Sequence, residues 1–169
     1  MDLRKKLLAP HSKLTCNEMV KWIGNDQSRF DRLFKLMISD PDPIVRQWAG
    51  WPLTYCVRKY PKLLTKHIGK LVKNLQKPGH HDAVKRHSLR MMEDISIPDK
   101  YHGVVMNLCF DYIISPSEKP AIKAFALTVL EDLSAHYPEI KQELKTIIED
   151  RWDIESAAFK SRAREILKS

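Results

Sequence analysis

Five lysines, Lys62, Lys66, Lys70, Lys73 and Lys77, recur at intervals of four, four, three and four residues. On an α-helix that spacing lines the ammonium groups along one stripe, a surface suited to holding phosphates or carboxylates. No aspartate or glutamate lies between Asp42 and Asp82 to neutralise them locally. Lys85, Arg86 and Arg90 follow shortly after and extend the candidate basic binding surface. Any amphipathic surface helix can show such a stripe merely solvated, and the spacing leaves both readings open.

Other residue groups offer less chemistry. Trp51 falls off the apolar face of its own segment and is a candidate groove aromatic, whereas Trp48 occupies a packing position. Asp40 and Asp42 flank Pro41 where a helix cap is needed, which explains them without a catalytic role. His80, His81 and His87 have no established metal-ligand spacing, and Pro78-Gly79 places a turn just before them; no metal site is assigned. Cys16, Cys56 and Cys109 are odd in number and far apart, with no C-x-x-C pair. They read as buried structural thiols of a reducing compartment, so a cytoplasmic location is expected. There is no glycine-rich phosphate loop and no nucleophile elbow, so no catalytic residue and no cofactor is assigned, and the chain reads as a non-enzyme.

The elements that must position the lysines follow from composition and periodicity. A chain of 169 residues suffices for one domain that buries roughly 70% of its unfolded surface. With 43% apolar residues and 5 glycines, helix is favoured over turn-rich β structure. Leu7-Leu8-Ala9 is too short for a signal segment, and no stretch is apolar for the length of a membrane span, so no membrane partner is expected. Charge is uneven: residues 1–80 hold 16 Lys and Arg against 6 Asp and Glu, a balance of +10, and residues 81–169 hold 13 against 15, a balance of −2.

One pattern recurs at Val45, Val84, Ile122 and Phe159, at spacings of 39, 38 and 37 residues. Each copy begins apolar then basic (Arg46, Lys85, Lys123, Lys160), has a small residue at offset four (Ala49, Ser88, Ala126, Ala163) and an apolar pair at offsets seven and eight. Those offsets share one helical face, with the small residue where a neighbouring helix comes close. Pro61, Pro98 and Pro138 each end one pattern and open another, as suits proline in a first helical turn. The apolar sets after them are Leu64, Ile68, Leu71 and Leu75; Val104, Leu108 and Ile113; and Ile140, Leu144, Ile147 and Ile148. Further signals are a capping box at Thr15 and Glu18 and helix starts at Asp82, Ser115 or Ser117, and Asp153 or Ser156. Gly50-Trp51-Pro52 either kinks or ends its helix. The acidic run at 149–155 reads as a polar turn. About nine helices result.

The segments "DPDPIVRQWA" (40–49) and "KPAIKAFALTVL" (119–130) resemble the signature of the HEAT repeat family. That resemblance implies an all-α, right-handed α-solenoid of about four helical hairpins plus a terminal helix. The units would be 14–40, 41–77, 80–115, 116–151 and a half unit at 154–168, together one domain over 1–169. It also implies a non-catalytic scaffold offering a concave helical surface to a protein or peptide partner. The alternative is a nucleic-acid-binding protein using the basic N-terminal half, with a distant likeness in fold type to HEAT-like alkylpurine DNA glycosylases. The oligomeric state is not read from the residues.

Overall fold

The computed structural model describes residues 1–169 and contains ten α-helices and no strand. The chain forms two compact units, Met1–Ser96 and Ile97–Ser169. The boundary falls between the two helices that the repeat pattern assigns to the 80–115 hairpin.

The first unit contains α1 (Leu3–Leu8), α2 (Lys13–Ile23), α3 (Gln27–Ser39), α4 (Pro43–Lys59), α5 (Ile68–Leu75) and α6 (Asp82–Glu93), with a 3₁₀ segment Pro61–His67 ahead of α5. Helix α4 is its centre, packed on α1, α2, α3 and α6. Phe30, Leu33, Phe34 and Met37 of α3 are buried together, as their spacing predicts. The second unit contains α7 (His102–Ile114), α8 (Pro120–Ser134), α9 (Pro138–Arg151) and α10 (Ala157–Lys168). Here α8 is central, against α7, α9 and α10.

The repeat is legible in burial. Ala49, Ser88, Ala126 and Ala163 are each 0% exposed, because at this offset only a small side chain lets the next helix approach. Val45, Val84, Ile122 and Phe159 are buried beside them. Backbone angles repeat as well: Tyr60 has φ −135° and ψ 76°, and Tyr137 has φ −135° and ψ 81°. Both precede a proline that opens the next helical segment.

Helix α4 continues through Pro52 rather than ending at Gly50-Trp51-Pro52. Gly50 meets α6 here: a Cβ at this position would lie 2.7 Å from Cβ and Cδ2 of His87. Gly50→Ala is therefore expected to lose stability although alanine is the better helix former, with overpacking of about 1–3 kcal/mol outweighing a propensity gain of about 0.5–1 kcal/mol. Urea unfolding should show a lower midpoint for Gly50→Ala, and the loss should be smaller in a His87→Ala background, which removes the ring contacts but keeps the Cβ 2.7 Å away.

Several local expectations are corrected. A short N-terminal helix, α1, precedes the repeats, and Arg4 donates from Nε to Asp40 Oδ2 at 3.0 Å to tie it to the α3–α4 turn. Ser12, not Thr15, caps α2, accepting from the Thr15 N–H, and Glu18 instead binds Lys6. Helix α8 starts at Pro120 with no side-chain cap, while Ser115 and Ser117 bond to each other. The face that α7 buries is His102, Val105, Cys109, Tyr112 and Ile113, one residue out of register with Val104 and Leu108. Its solvent face is the stripe Gly103, Asn107 and Asp111, all exposed, and Ile113 is buried as expected. The acidic run is not wholly a polar turn: the Glu155 side chain is 7% exposed and ion-paired with Lys123 and Arg151. All three cysteines are free and buried, as expected.

A candidate ligand cleft beside the lysine-rich segment

The lysine-rich segment does not begin as α-helix. Tyr60 turns the chain, the Leu63 N–H donates to its carbonyl at 3.1 Å, and winding stays 3₁₀ until His67. In a 3₁₀ helix a step of four residues turns about 120° off the starting direction instead of about 40° in an α-helix. Lys62 and Lys66 therefore leave the common stripe that even α spacing implies.

Asp31 of α3 gathers the segment's polar groups. His67 Nε2 donates to Asp31 Oδ1 at 2.6 Å, Gln27 Nε2 to the same oxygen at 2.8 Å, and Lys66 Nζ to Asp31 Oδ2. Gln27 also donates to the Leu63 carbonyl at 2.9 Å. Partial burial favours the neutral acid, but the hydrogen bonds from Lys66, Gln27 and His67 outweigh it and hold the Asp31 carboxyl at about 2. The buried His67 ring stacks on Phe34, with centroids 4.2 Å apart.

Between α3 and this segment lies a cleft of about 630 Å³. Phe34 and Ile38 give it an apolar wall, His67 and Asp31 a fixed polar one, and Lys35, Lys66 and Lys70 supply ammonium groups. Asp31 is the one carboxylate in the lining and is already occupied, so Lys35 and Lys70 face the cleft without a carboxylate to neutralise them there. A second cleft of about 410 Å³ shares Lys35 and adds Arg4 and Arg32, with Asp2 and Asp40 as its acids. Asp40 is held below the usual carboxylate range, first by its hydrogen bond from Arg4.

Of the residues singled out by sequence, the cleft brings together Lys66 and Lys70. Lys62, Lys73 and Lys77 are exposed but line no part of it. Lys85, Arg86 and Arg90 lie half-buried on α6, and Lys85 and Arg90 have interactions of their own. Trp51 lies on α4 against His11, ring centroids 4.9 Å apart. Asp42 caps α4, accepting from the Ile44 N–H at 2.9 Å. Lys35 and Asp31 were not anticipated. The signal that finds them is the repeat itself: Gln27 reaches Leu63, Asp31 reaches His67 and Arg4 reaches Asp40, each pair 36 residues apart. Residues about one repeat apart sit side by side in neighbouring repeats, with α4 lying between them in sequence for the Gln27 and Asp31 pairs.

Hairpins that bury a small residue at one recurring offset, joined by turns with repeated backbone angles, define a helical-repeat protein. Residues 3–169 match the HEAT repeat domain family model, and the chain belongs to that family. Comparison with curated proteins and with solved structures finds no match for this chain.

Proposed function

We propose that the protein is a non-catalytic binding scaffold whose cleft between α3 and residues 61–75 takes an acidic segment of a protein partner. The observation that carries this reading is the convergence of Lys35 and Lys70 on one cleft that also has an apolar wall. Two ammonium groups receive carboxylates while Phe34 and Ile38 receive an apolar side chain, a mixture that suits a peptide better than a phosphate backbone. The test is a fluorescence-anisotropy titration with a labelled Asp/Glu-rich peptide carrying one phenylalanine. Lys35→Glu/Lys70→Glu is expected to weaken binding tenfold or more while leaving the melting temperature near wild type. Equal affinity for wild type and variant would sink the proposal.

A second reading rests on Lys62, Lys73 and Lys77, which remain exposed outside the cleft and could follow a nucleic-acid backbone. Its signature is a salt dependence of log K with a slope of roughly −3 for about three phosphate contacts. If duplex or single-stranded DNA or RNA binds with that slope, and Lys62→Glu/Lys73→Glu/Lys77→Glu abolishes it, the nucleic-acid reading replaces the first. No binding at about 50 mM salt, where the Debye length exceeds 10 Å, removes it.

A further inference from the structure

Helix α4 turns four apolar side chains outward in one line. Ile44, Trp48, Trp51 and Tyr55 follow one another at intervals of four, three and four, which keeps them within about a 60° arc and spans about 17 Å of helix. Ile44 is 45% and Tyr55 38% exposed, and the two indoles between them are half-buried. His11, from the link between α1 and α2, lies against both indoles, with centroids 4.6 Å from Trp48 and 4.9 Å from Trp51. Three residues to either side of it in the chain, Leu8 is 44% and Leu14 70% exposed. None of these residues lines the lysine cleft. The buried face of α4, through Val45, Ala49, Leu53 and Cys56, already accounts for its packing in the core.

The Tyr55 end of the line opens on a cavity of about 400 Å³ walled by Val20, Tyr55, Cys56 and Tyr60, with Lys21 and Lys59 also lining it. The local charge is positive. Lys13, Lys21 and Lys59 are exposed; the nearest acid on α2, Glu18, is bound to Lys6 at 2.5 Å, and Asp42 is committed to capping α4.

We propose that this outward face of α4 is a docking surface for an amphipathic helix with acidic flanks, supplied by another protein. A 4-3-4 line of side chains forms the ridge that a second helix accepts at a shallow crossing angle, as in 3-4 packing. Half-buried tryptophans whose rings are braced by His11, with the exposed Tyr55 beside Trp51, make rigid anchors. One bulky apolar side chain of the partner enters the Val20–Tyr55–Cys56 cavity, and carboxylates beside it meet Lys21 and Lys59. A second copy of the chain is disfavoured as the occupant. Ridge on ridge would bring the Lys13, Lys21 and Lys59 groups of two basic surfaces together, in a chain whose net charge is +8.

The test uses the full chain and a synthetic 18-residue peptide with leucines at helical spacing and glutamates on its flanks. Controls are the same composition scrambled and a version with lysine in place of glutamate. The expected results are saturable binding of the acidic helix with a blue-shifted tryptophan emission and at least tenfold weaker binding of both controls. Ile44→Glu/Tyr55→Glu, at two exposed positions that keep the fold, should weaken binding at least tenfold. The titration is repeated in a Lys35→Glu/Lys70→Glu background, where acidic-peptide binding at the cleft is removed; the blue shift, and its loss on adding Ile44→Glu/Tyr55→Glu, should persist there, which separates this surface from the cleft. The proposal is overturned by equal affinity for the scrambled peptide, by no saturation up to 1 mM, or by indifference to Ile44→Glu/Tyr55→Glu. Self-association in sedimentation that disappears in that variant would also overturn it, assigning the ridge to a second copy.

Discussion

Glu155→Ala is expected to destabilise the protein by about 3–5 kcal/mol, the usual consequence of removing one partner from a buried ionic cluster. Glu155 Oε1 accepts from Lys123 Nζ and from Arg151 Nε, each at 2.7 Å. The Lys123 and Glu155 side chains are 5% and 7% exposed and Arg151 19%. Without the carboxylate, the Lys123 ammonium stays in a site largely closed to water with no counter-charge. Lys123→Met is the informative contrast. It leaves Glu155 bonded to Arg151 and replaces a buried ammonium with a side chain of similar length, so the loss should be clearly smaller. The double variant Glu155→Ala/Lys123→Met should recover much of the Glu155→Ala loss. Urea unfolding of the four proteins measures this directly, and additive losses in the double variant would show that the cluster is not coupled.

The second large effect is a loss of stability in acid that depends on His87. Burial first, and then the nearby charges of Arg86, Arg90 and His11, push the imidazole down to about 4. In the unfolded chain the group titrates near 6.5. A proton therefore binds the unfolded chain more readily between these values. The stabilisation is complete above about pH 6.5, declines as the pH falls, and is lost by about pH 4, for a total of about 3 kcal/mol. The cause is the same close approach that requires Gly50: α4 lies against the His87 ring, whose Nδ1 is buried without a partner. Unfolding free energies for wild type and His87→Gln at pH 7, 5.5 and 4 provide the check. The variant's curve should be flatter by that amount, and an NMR titration should place the His87 midpoint near 4. Parallel curves would refute the assignment.

Individual residues show how far sequence reasoning reached. The positions read as core by helical offset, from Val45 and Ala49 to Ile122 and Ala126, are buried. They lie on α4 and α8, each flanked by several helices, so packing constrains a broad face and leaves a strong periodic trace. Helix α7 was misread by one residue at Val104 and Leu108, although Asn107 and Asp111, one turn apart and exposed, mark its solvent face; Ile113 is buried as read. Glu155 was read as part of a polar turn because it ends an acidic run with Glu149, Asp150 and Asp153; nothing local shows that a lysine 32 residues earlier turns inward to meet it. The lysine stripe assumed α winding, and the proline turn at Tyr60 replaced it with 3₁₀ winding over the first part.

The sequence by itself determined the helical repeat, its length near 38 residues, the offsets that become core, and the concentration of positive charge before residue 80. These properties are written in each helix's own periodicity and in composition, which local structure carries directly. Only the tertiary structure decided which side chains meet. Lys35 joins Lys70 across a cleft, Asp31 takes charge of His67 and Lys66, Gly50 admits His87, and Lys123 closes on Glu155. Contacts between successive helices depend on the rotational phase of one helix against the next. That phase is set by the turns and by packing of whole surfaces, not by the spacing within either helix.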